Sequence, residues 1–368
     1  MNPNAAAPQR SGGPAGARPI ALMIVDDSPI ARAVLSRMLS VHKEFEVVAL
    51  AGNAGEAIDA LKSVAVDIVL LDVEMPGTSG LQALPEILRR GKGARVLIVS
   101  SLAEDGAEAA VKALALGAAD TLPKPGTGNF AGKFSEILAE RLRRIGRAER
   151  FPVAAANTAS ADALPVTLRA MENEKLSCLA LGASTGGLHA LSEFLKALPP
   201  KIGAPILITQ HLPTVFMPFF ARQIESASGR KAVVAEPGTR LEPEHIVIAP
   251  GDAHLGLERH GSHVRTMLET APTSSGCMPS VDPMLRAVAE IYGKNGLAII
   301  FSGMGKDGLA GSHRLVDRGG GVLVQNQVTS AVWGMPRAVA EAGLASAILS
   351  PADLAGRVAA RIAGDAWK

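Results

Sequence analysis

Residues 176–187, LSCLALGASTGG, read as a buried strand that breaks at a glycine turn and runs into an amphipathic helix. Gly182, Ser184 and Gly186 make a G-x-S-x-G in that turn. The spacing puts a serine on a sharp bend, with glycines letting neighbouring backbone close in. Its hydroxyl would stand at the strand's carboxyl end, beside N–H groups at a helix start that suit an oxyanion. Leu188, Leu191, Leu195 and Leu198 then mark one helix face. Further strand candidates occur at PILITQ (205–210), KAVVA (231–235), HIVIAP (245–250), LAIIFSG (297–303) and VLVQNQ (322–327), with helical patterns after several of them. Such alternation implies a doubly wound parallel α/β sheet.

The same rhythm occupies the first part of the chain. ALMIV (21–25), EVVAL (46–50), VDIVLL (66–71), RVLIVS (95–100) and AADTL (118–122) are five strand candidates separated by helical patterns, for example at Ile30, Val34, Leu35, Met38 and Leu39. This is a flavodoxin-like (βα)5 pattern. Between the halves, 141–150 are basic and 151–170 are Ala-rich with two prolines, a linker composition. The expected division is a disordered tail at 1–19, one domain at 20–140, a linker at 141–175 and a second domain at 176–368. No internal repeat relates the halves.

Composition narrows the function classes. Of 368 residues, 48% are hydrophobic and 20% charged, which suits packed cores and excludes fibrous and disordered classes. A net charge of +2 and 3% aromatics argue against nucleic acid as a partner. Cys178 and Cys277 stand far apart with no CxxC or Cys/His cluster nearby in sequence, neither a disulfide framework nor a zinc-site spacing. Reduced cytosol is the expected compartment, and a monomer the expected state. The stretch 202–221 carries no charge, but Pro205, Pro213, Pro218, Gln210 and His211 divide it into strand, turn and helix, so no membrane insertion is expected.

Ligands of open parallel sheets bind at the carboxyl ends of strands. In the first half those ends carry Asp26 and Asp27, Asp72, Ser100 and Lys124. Converging carboxylates need a cation, and oxygen-only ligands suggest Mg²⁺; a lysine and a hydroxyl opposite would complete a phosphate site. Each aspartate alone could be an ordinary helix N-cap. Over about 125 residues this part resembles a response-regulator receiver domain, through VDDS (25–28), LLDVEMPGTSG (70–80), VSSL (99–102) and LPKPG (122–126). The resemblance implies that Asp72 accepts a phosphoryl group, that Asp26, Asp27 and Asp72 hold Mg²⁺, and that Ser100 and Lys124 sense the added charge. Two positions depart from the family pattern: Thr78-Ser79 where Met-Asp is common, and Thr121 where an aromatic is often found.

A serine nucleophile needs a base and an orienting carboxylate. His211 comes directly after the strand PILITQ and shares the rim with Ser184; His254 is a rival. Asp307 comes after the strand LAIIFSG, with Asp252 and Asp282 as lesser alternatives. Spacing favours Ser184, His211 and Asp307. Residues 303–308 also spell the dinucleotide fingerprint G-x-G-x-x-G, but no Asp or Glu occurs between Arg318 and Glu341, where the ribose-binding acid belongs. From 176 to about 365 the chain resembles the catalytic domain of chemotaxis protein-glutamate methylesterases, the CheB family, through LGASTGG (181–187), TQHLP (209–213), IAPGDAHL (248–255), PSVDPML (279–285), FSGMGKDG (301–308) and VWGMPRAV (332–339). The resemblance implies a nucleophile at Ser184, a base at His211, an orienting acid at Asp307, and oxyanion N–H groups at Thr185 and Met304.

Together the two resemblances imply phosphorylation-activated hydrolysis of glutamyl methyl esters on methyl-accepting chemotaxis receptors. A chemotaxis histidine kinase would be the phosphodonor, Mg²⁺ would serve the receiver, and the esterase would need no cofactor. Receptor glutamine deamidation and a non-catalytic binding module are the alternatives.

Overall fold

The computed structural model describes residues 18–100, 104–124, 131–146, 167–171 and 174–364. Nearly all of the expected N-terminal tail, and residues 147–166 of the expected linker, lie outside the described residues.

The first sheet has five strands, β1 (Ile20–Val25), β2 (Phe45–Ala51), β3 (Ile68–Leu71), β4 (Arg95–Ser100) and β5 (Asp120–Pro123), in the order β2-β1-β3-β4-β5. Every neighbouring pair is parallel. Leu22, Ile24, Ile68, Leu70 and Leu97 face one helical layer, and Met23, Val25, Val69, Leu71 and Val96 face the other. The helices are α1 (Pro29–Ser40), α2 (Ala54–Ala60), α3 (Gly80–Arg90), α4 (Glu104–Ala115) and α5 (Ala131–Gly146). Ser28 caps α1, and Ser79 and Gln82 form a reciprocal capping box on α3, which places Ser79 in a structural role. On α1, Leu35 and Leu39 are buried but Ile30 is 76% exposed, so its apolar stripe is narrower than its sequence suggests. Helix α5 passes the expected boundary at 140, because Leu142 and Ile145 complete the core.

The second sheet has seven parallel strands in the order β14-β13-β12-β6-β7-β9-β8. They are β6 (Cys178–Ala183), β7 (Ile206–Gln210), β8 (Ala232–Val234), β9 (Ile246–Ile248), β12 (Gly296–Ile300), β13 (Gly321–Gln325) and β14 (Ala347–Leu349). An antiparallel hairpin of β10 (His254–His260) and β11 (His263–Glu269) is appended to it. Helices α6 (Gly187–Ala197), α7 (Met217–Ser228), α8 (Val281–Tyr292), α9 (Leu309–Asp317), α10 (Met335–Glu341) and α11 (Pro351–Ala363) cover the faces. The charge-free stretch divides into β7, a 3-10 turn and the start of α7. Among the described residues no helix is long and apolar enough to cross a membrane.

Strand β6 is central, with β12 on one side and β7 on the other. The sheet therefore opens its crevice where the strand order reverses about β6, and the loops leaving these three strands meet there. Helix α4 of the first domain lies against α6 and α7 of the second. Ala110 and Leu114 share one continuous buried cluster with Leu188, Leu212 and Phe216.

Candidate active site

Ser184 leaves β6, His211 leaves β7 and Asp307 lies in the loop after β12. Backbone bonds lock these loops together: His211 N–H donates to Ala183 O at 3.2 Å, and Ser184 N–H to Ser302 O at 3.0 Å. Space is tight enough to require glycine. A Cβ on Gly303 would lie 2.9 Å from Ser184 Cβ, and Gly186 has φ +74° with Ala331 Cβ 2.3 Å from where its own Cβ would be. Gln210 Nε2 donates to Ser184 O at 2.9 Å, and Ser302 Oγ donates to Thr185 O at 2.8 Å. The turn is thus held from both neighbouring strands.

His211 Nδ1 is 3.0 Å from Ser184 Oγ, and His211 Nε2 is 2.7 Å from Asp307 Oδ2. One ring nitrogen faces the hydroxyl and the other the carboxylate, the relation a base needs to its nucleophile and to its orienting acid. Asp307 is buried and takes two more donors, Ser280 Oγ–H on Oδ1 at 2.6 Å and Val281 N–H on Oδ2 at 2.7 Å. Burial would raise its pKa, but the bonds from His211, Ser280 and Val281 hold it down at about 2. For His211 burial acts to lower the pKa, and the partnership with Asp307 and Cys277 opposes it and favours the protonated ring.

The rival base has a different position. His254 is buried; its Nε2–H donates to Ala271 O at 3.0 Å, leaving Nδ1 to accept Ser280 N–H at 2.9 Å. It therefore supports the serine that holds Asp307. Asp282 accepts Gly311 N–H at 2.7 Å and ties α9 to α8, while Asp252 is exposed. Thr185 and Met304 both line the cleft beside Ser184.

Sequence spacing carries no sign of Ser280, His254 or Gln325 as supports of the site, or of Cys277 as its neighbour. Gln325 Oε1 accepts Ser302 N–H at 2.7 Å, and its Nε2 donates to Thr329 O at 2.8 Å, bracing the loop behind Ser184. Cys277 is half-buried beside His211 and Asp307, one ligand-type atom from each lying within 4.8 Å of the others. The Cys/His cluster missing from the sequence is assembled by the fold. Hydrogen bonding to His211 lowers the Cys277 thiol against the opposing effect of burial.

The cleft is about 930 Å³, and both domains line it. Gly186 N–H, in the Ser184 turn, donates to Ala119 O of the first domain at 2.7 Å. His189 Nδ1–H donates to Ala115 O at 2.9 Å, so this histidine faces the other domain. Arg95 Nε–H donates to Ala331 O at 3.0 Å, reaching the residue packed on Gly186.

On the first sheet, Asp26 and Asp72 are buried, Asp27 is exposed, and their carboxylates lie within 4.8 Å of one another. Lys124 Nζ bridges Asp26 at 2.9 Å and Asp72 at 2.7 Å. Burial raises the Asp72 carboxyl, with the Lys124 ammonium acting against it. Ser100 Oγ and Thr121 Oγ1 are buried and make no hydrogen bond among the described residues. An oxygen-only donor set open on the Asp27 side fits Mg²⁺, and the unpartnered Ser100 hydroxyl is a ready donor for an arriving anion. Ser101, Leu102, Pro125 and Gly126 of the receiver motifs lie outside the described residues.

A receiver sheet with its acidic rim, seated on a parallel sheet whose crevice holds a hydroxyl, an imidazole and a carboxylate in line, makes this a response regulator with a hydrolase as its output. Residues 179–358 match the family described as CheB methylesterase, and residues 22–129 match the response regulator receiver domain. A Paramagnetospirillum magneticum protein named protein-glutamate methylesterase/protein-glutamine glutaminase 1 is 37% identical over 91% of this chain and 94% of its own. An Azospirillum brasilense protein, named protein-glutamate methylesterase/protein-glutamine glutaminase, is 37% identical over 92% of this chain and 91% of its own. The crystal structure of the Thermotoga maritima CheB methylesterase catalytic domain is 34% identical, covering 50% of this chain and 98% of that one, with a TM-score of 0.49. The chain belongs to the CheB methylesterase family.

Proposed function

We propose that the chain hydrolyses glutamyl methyl esters on methyl-accepting chemotaxis receptors, and also deamidates receptor glutamines, through an acyl-enzyme on Ser184. The observation that carries this reading is the unbroken hydrogen-bonded line from Ser184 Oγ through His211 to Asp307 on the cleft wall. Ser184 Oγ gives its proton to His211 Nδ1 and bonds to the glutamyl carbonyl carbon. Thr185 and Met304 N–H groups receive the charge that develops on the carbonyl oxygen. His211 then passes the proton to the methoxy oxygen, and methanol leaves. A water molecule, deprotonated by His211, attacks the acyl carbon and releases the glutamate carboxylate with Ser184 restored. From a glutamine the leaving group is ammonia by the same steps. Asp307 fixes the ring and balances its positive charge throughout.

The first domain regulates this chemistry. Asp72 is the phospho-acceptor, supplied by a sensor histidine kinase, and Asp26, Asp27 and Asp72 are the residues that would hold Mg²⁺. When bound, that ion neutralises charge during phosphoryl transfer. Ser100 and Lys124 then meet the new phosphoryl group. With the receiver seated, a receptor segment cannot reach Ser184; contacts from Ala119, Ala115 and Arg95 support that reading. The test is methanol release from methylated receptor membranes, comparing the chain with Ser184→Ala, each with and without a small-molecule phosphodonor and Mg²⁺. Release that needs Ser184 and rises with phosphodonor is expected. Release unaffected by Ser184→Ala would overturn the nucleophile, and release indifferent to phosphodonor would overturn the switch.

A further inference from the structure

Cys277 is the chemically distinctive group in the cleft that the hydrolysis does not use. Its Sγ is half-buried, makes a long contact to Ser275 O at 3.8 Å and lies beside the His211 ring. Cys277, His211 and Asp307 each bring one ligand-type atom to within 4.8 Å of the others, on a wall open to the cleft. The second cysteine offers a contrast, since Cys178 is fully buried inside β6.

We propose that Cys277, His211 and Asp307 form a reversible binding site for a zinc-class divalent cation, and that loading this site disables Ser184. A thiolate, an imidazole nitrogen and a carboxylate oxygen are the donor types such ions take, with bonds of about 2.0–2.3 Å in a tetrahedral shell. Those lengths put neighbouring ligand atoms about 3.3–3.6 Å apart, so side-chain rotations of about 1 Å bring the set into range. The carboxylate is already aimed, because Ser280 Oγ–H at 2.6 Å and Val281 N–H at 2.7 Å fix its plane. The fourth position is left to water or to Ser184 Oγ. Selectivity comes from the soft thiolate sulfur. The cleft wall is mixed in charge, with Asp120 and Asp282 beside Arg141, Arg144 and Lys306, and Arg141 is paired with Asp120.

Binding releases the Cys277 thiol proton to solvent and requires one imidazole nitrogen to coordinate through its lone pair. Either choice stops the relay. Coordination through Nε2 breaks the 2.7 Å bond to Asp307, and coordination through Nδ1 displaces the Ser184 hydroxyl at 3.0 Å. The binding stands on geometry alone; its effect on turnover rests on the reading of His211 as the base.

Co²⁺ alone, titrated into the full chain, separates the two. A cobalt–thiolate charge-transfer band in the near ultraviolet is expected in the wild type and in Ser184→Ala, and its loss in Cys277→Ser. An ion at the all-oxygen receiver rim produces no such band. The His211→Gln change should weaken cobalt binding by about tenfold or more, as loss of metal-site partners does. Zn²⁺ should suppress methanol release by the wild type, a chelator should restore it, and Cys277→Ser should turn over with its zinc sensitivity lost. Absence of the band in the folded wild type, or its persistence in Cys277→Ser, overturns the site. A band with no esterase activity in any protein keeps the site and overturns the reading of function instead.

Discussion

Replacing Ser280 with alanine should slow the esterase without loosening its hold on substrate. Ser280 Oγ–H donates to Asp307 Oδ1 at 2.6 Å, and both residues are buried. A hydrogen bond to a charged group contributes about 1.5–3 kcal/mol, and about 1.4 kcal/mol is a factor of ten in rate. After the change Asp307 keeps His211 Nε2–H and Val281 N–H, both on Oδ2 at 2.7 Å. The carboxylate stays anionic but can swing about that one oxygen, so the imidazole loses its fixed orientation. A fall in kcat of about 10- to 100-fold with little change in KM is the expected result. Ser280 is also the N-cap of α8, accepting Asp282 N–H at 3.3 Å. Loss of a cap costs about 1 kcal/mol, a Tm drop of about 2–4 °C at this size. Ser350→Ala supplies the matched control, because Ser350 caps α11 by accepting Asp353 N–H at the same 3.3 Å, far from the cleft. Methanol release over a range of methylated receptor concentrations gives kcat and KM, and calorimetry gives Tm. A Tm loss larger in Ser280→Ala than in Ser350→Ala, since the bond to Asp307 is lost along with the cap, with a kcat loss only in Ser280→Ala, would bear out the reasoning. An unchanged kcat in Ser280→Ala, or a rise in KM alone, would refute it.

Removing residues 1–170 should raise basal methanol release, and unchanged or lower release would count against inhibition by the receiver. Arg95→Ala deletes one hydrogen bond between the domains, to Ala331 O; at about 0.5–1.5 kcal/mol it should raise basal release about 2- to 12-fold, measured without phosphodonor. Asp72→Asn should leave basal release near the wild-type level and abolish stimulation by phosphodonor and Mg²⁺; a response that survives would move the phospho-acceptor elsewhere.

Legibility of the sequence tracked local chemistry. Strands that are apolar on both faces, such as β4 at 95–100, stand out because turn residues bound them and helices flank them. Ser184, His211 and Asp307 were legible for one reason: each directly follows a strand or lies in the loop after one, and parallel strands in a right-handed winding deliver those positions to one rim. The hairpin β10–β11 was not, because its buried residues His254, Leu255, Gly256 and Leu257 run consecutively and carry no clean alternation. Ser280 and Cys277 precede a helix and reach the site only because that helix packs beneath β12 and β6. No spacing rule reports a contact made across 27 or 96 residues, the separations of Ser280 and His211 from Asp307. At 121, where an aromatic residue is common in receivers, the structure has a buried threonine with an unpartnered hydroxyl, so the output of this receiver cannot run through rotation of a ring at that strand.

That absence gives the backbone contact at β5 more weight. Ala119 precedes β5 by one residue, and its carbonyl takes the Gly186 N–H at 2.7 Å. A shift of β5 relative to α4 is therefore felt directly in the Ser184 turn, with no intermediary side chain. On the reading that the seated receiver is the off state, the size of the switch can be bounded. Hydrogen bonds from Gly186, His189 and Arg95 join the domains; at about 0.5–1.5 kcal/mol each they hold the closed form by about 1.5–4.5 kcal/mol. Burial of Ala110 and Leu114 against Leu188 and Phe216 adds to that hold. Inverting a 99:1 population requires about 5.5 kcal/mol of differential interaction. A phosphoryl group brings about 1.5–2 negative charges beside Lys124 and Ser100, and hydrogen bonds to a charged group contribute about 1.5–3 kcal/mol each. Closing and opening terms of such similar size describe a receiver that is poised and not locked, so measurable esterase activity before phosphorylation is expected from the same contacts that restrain it.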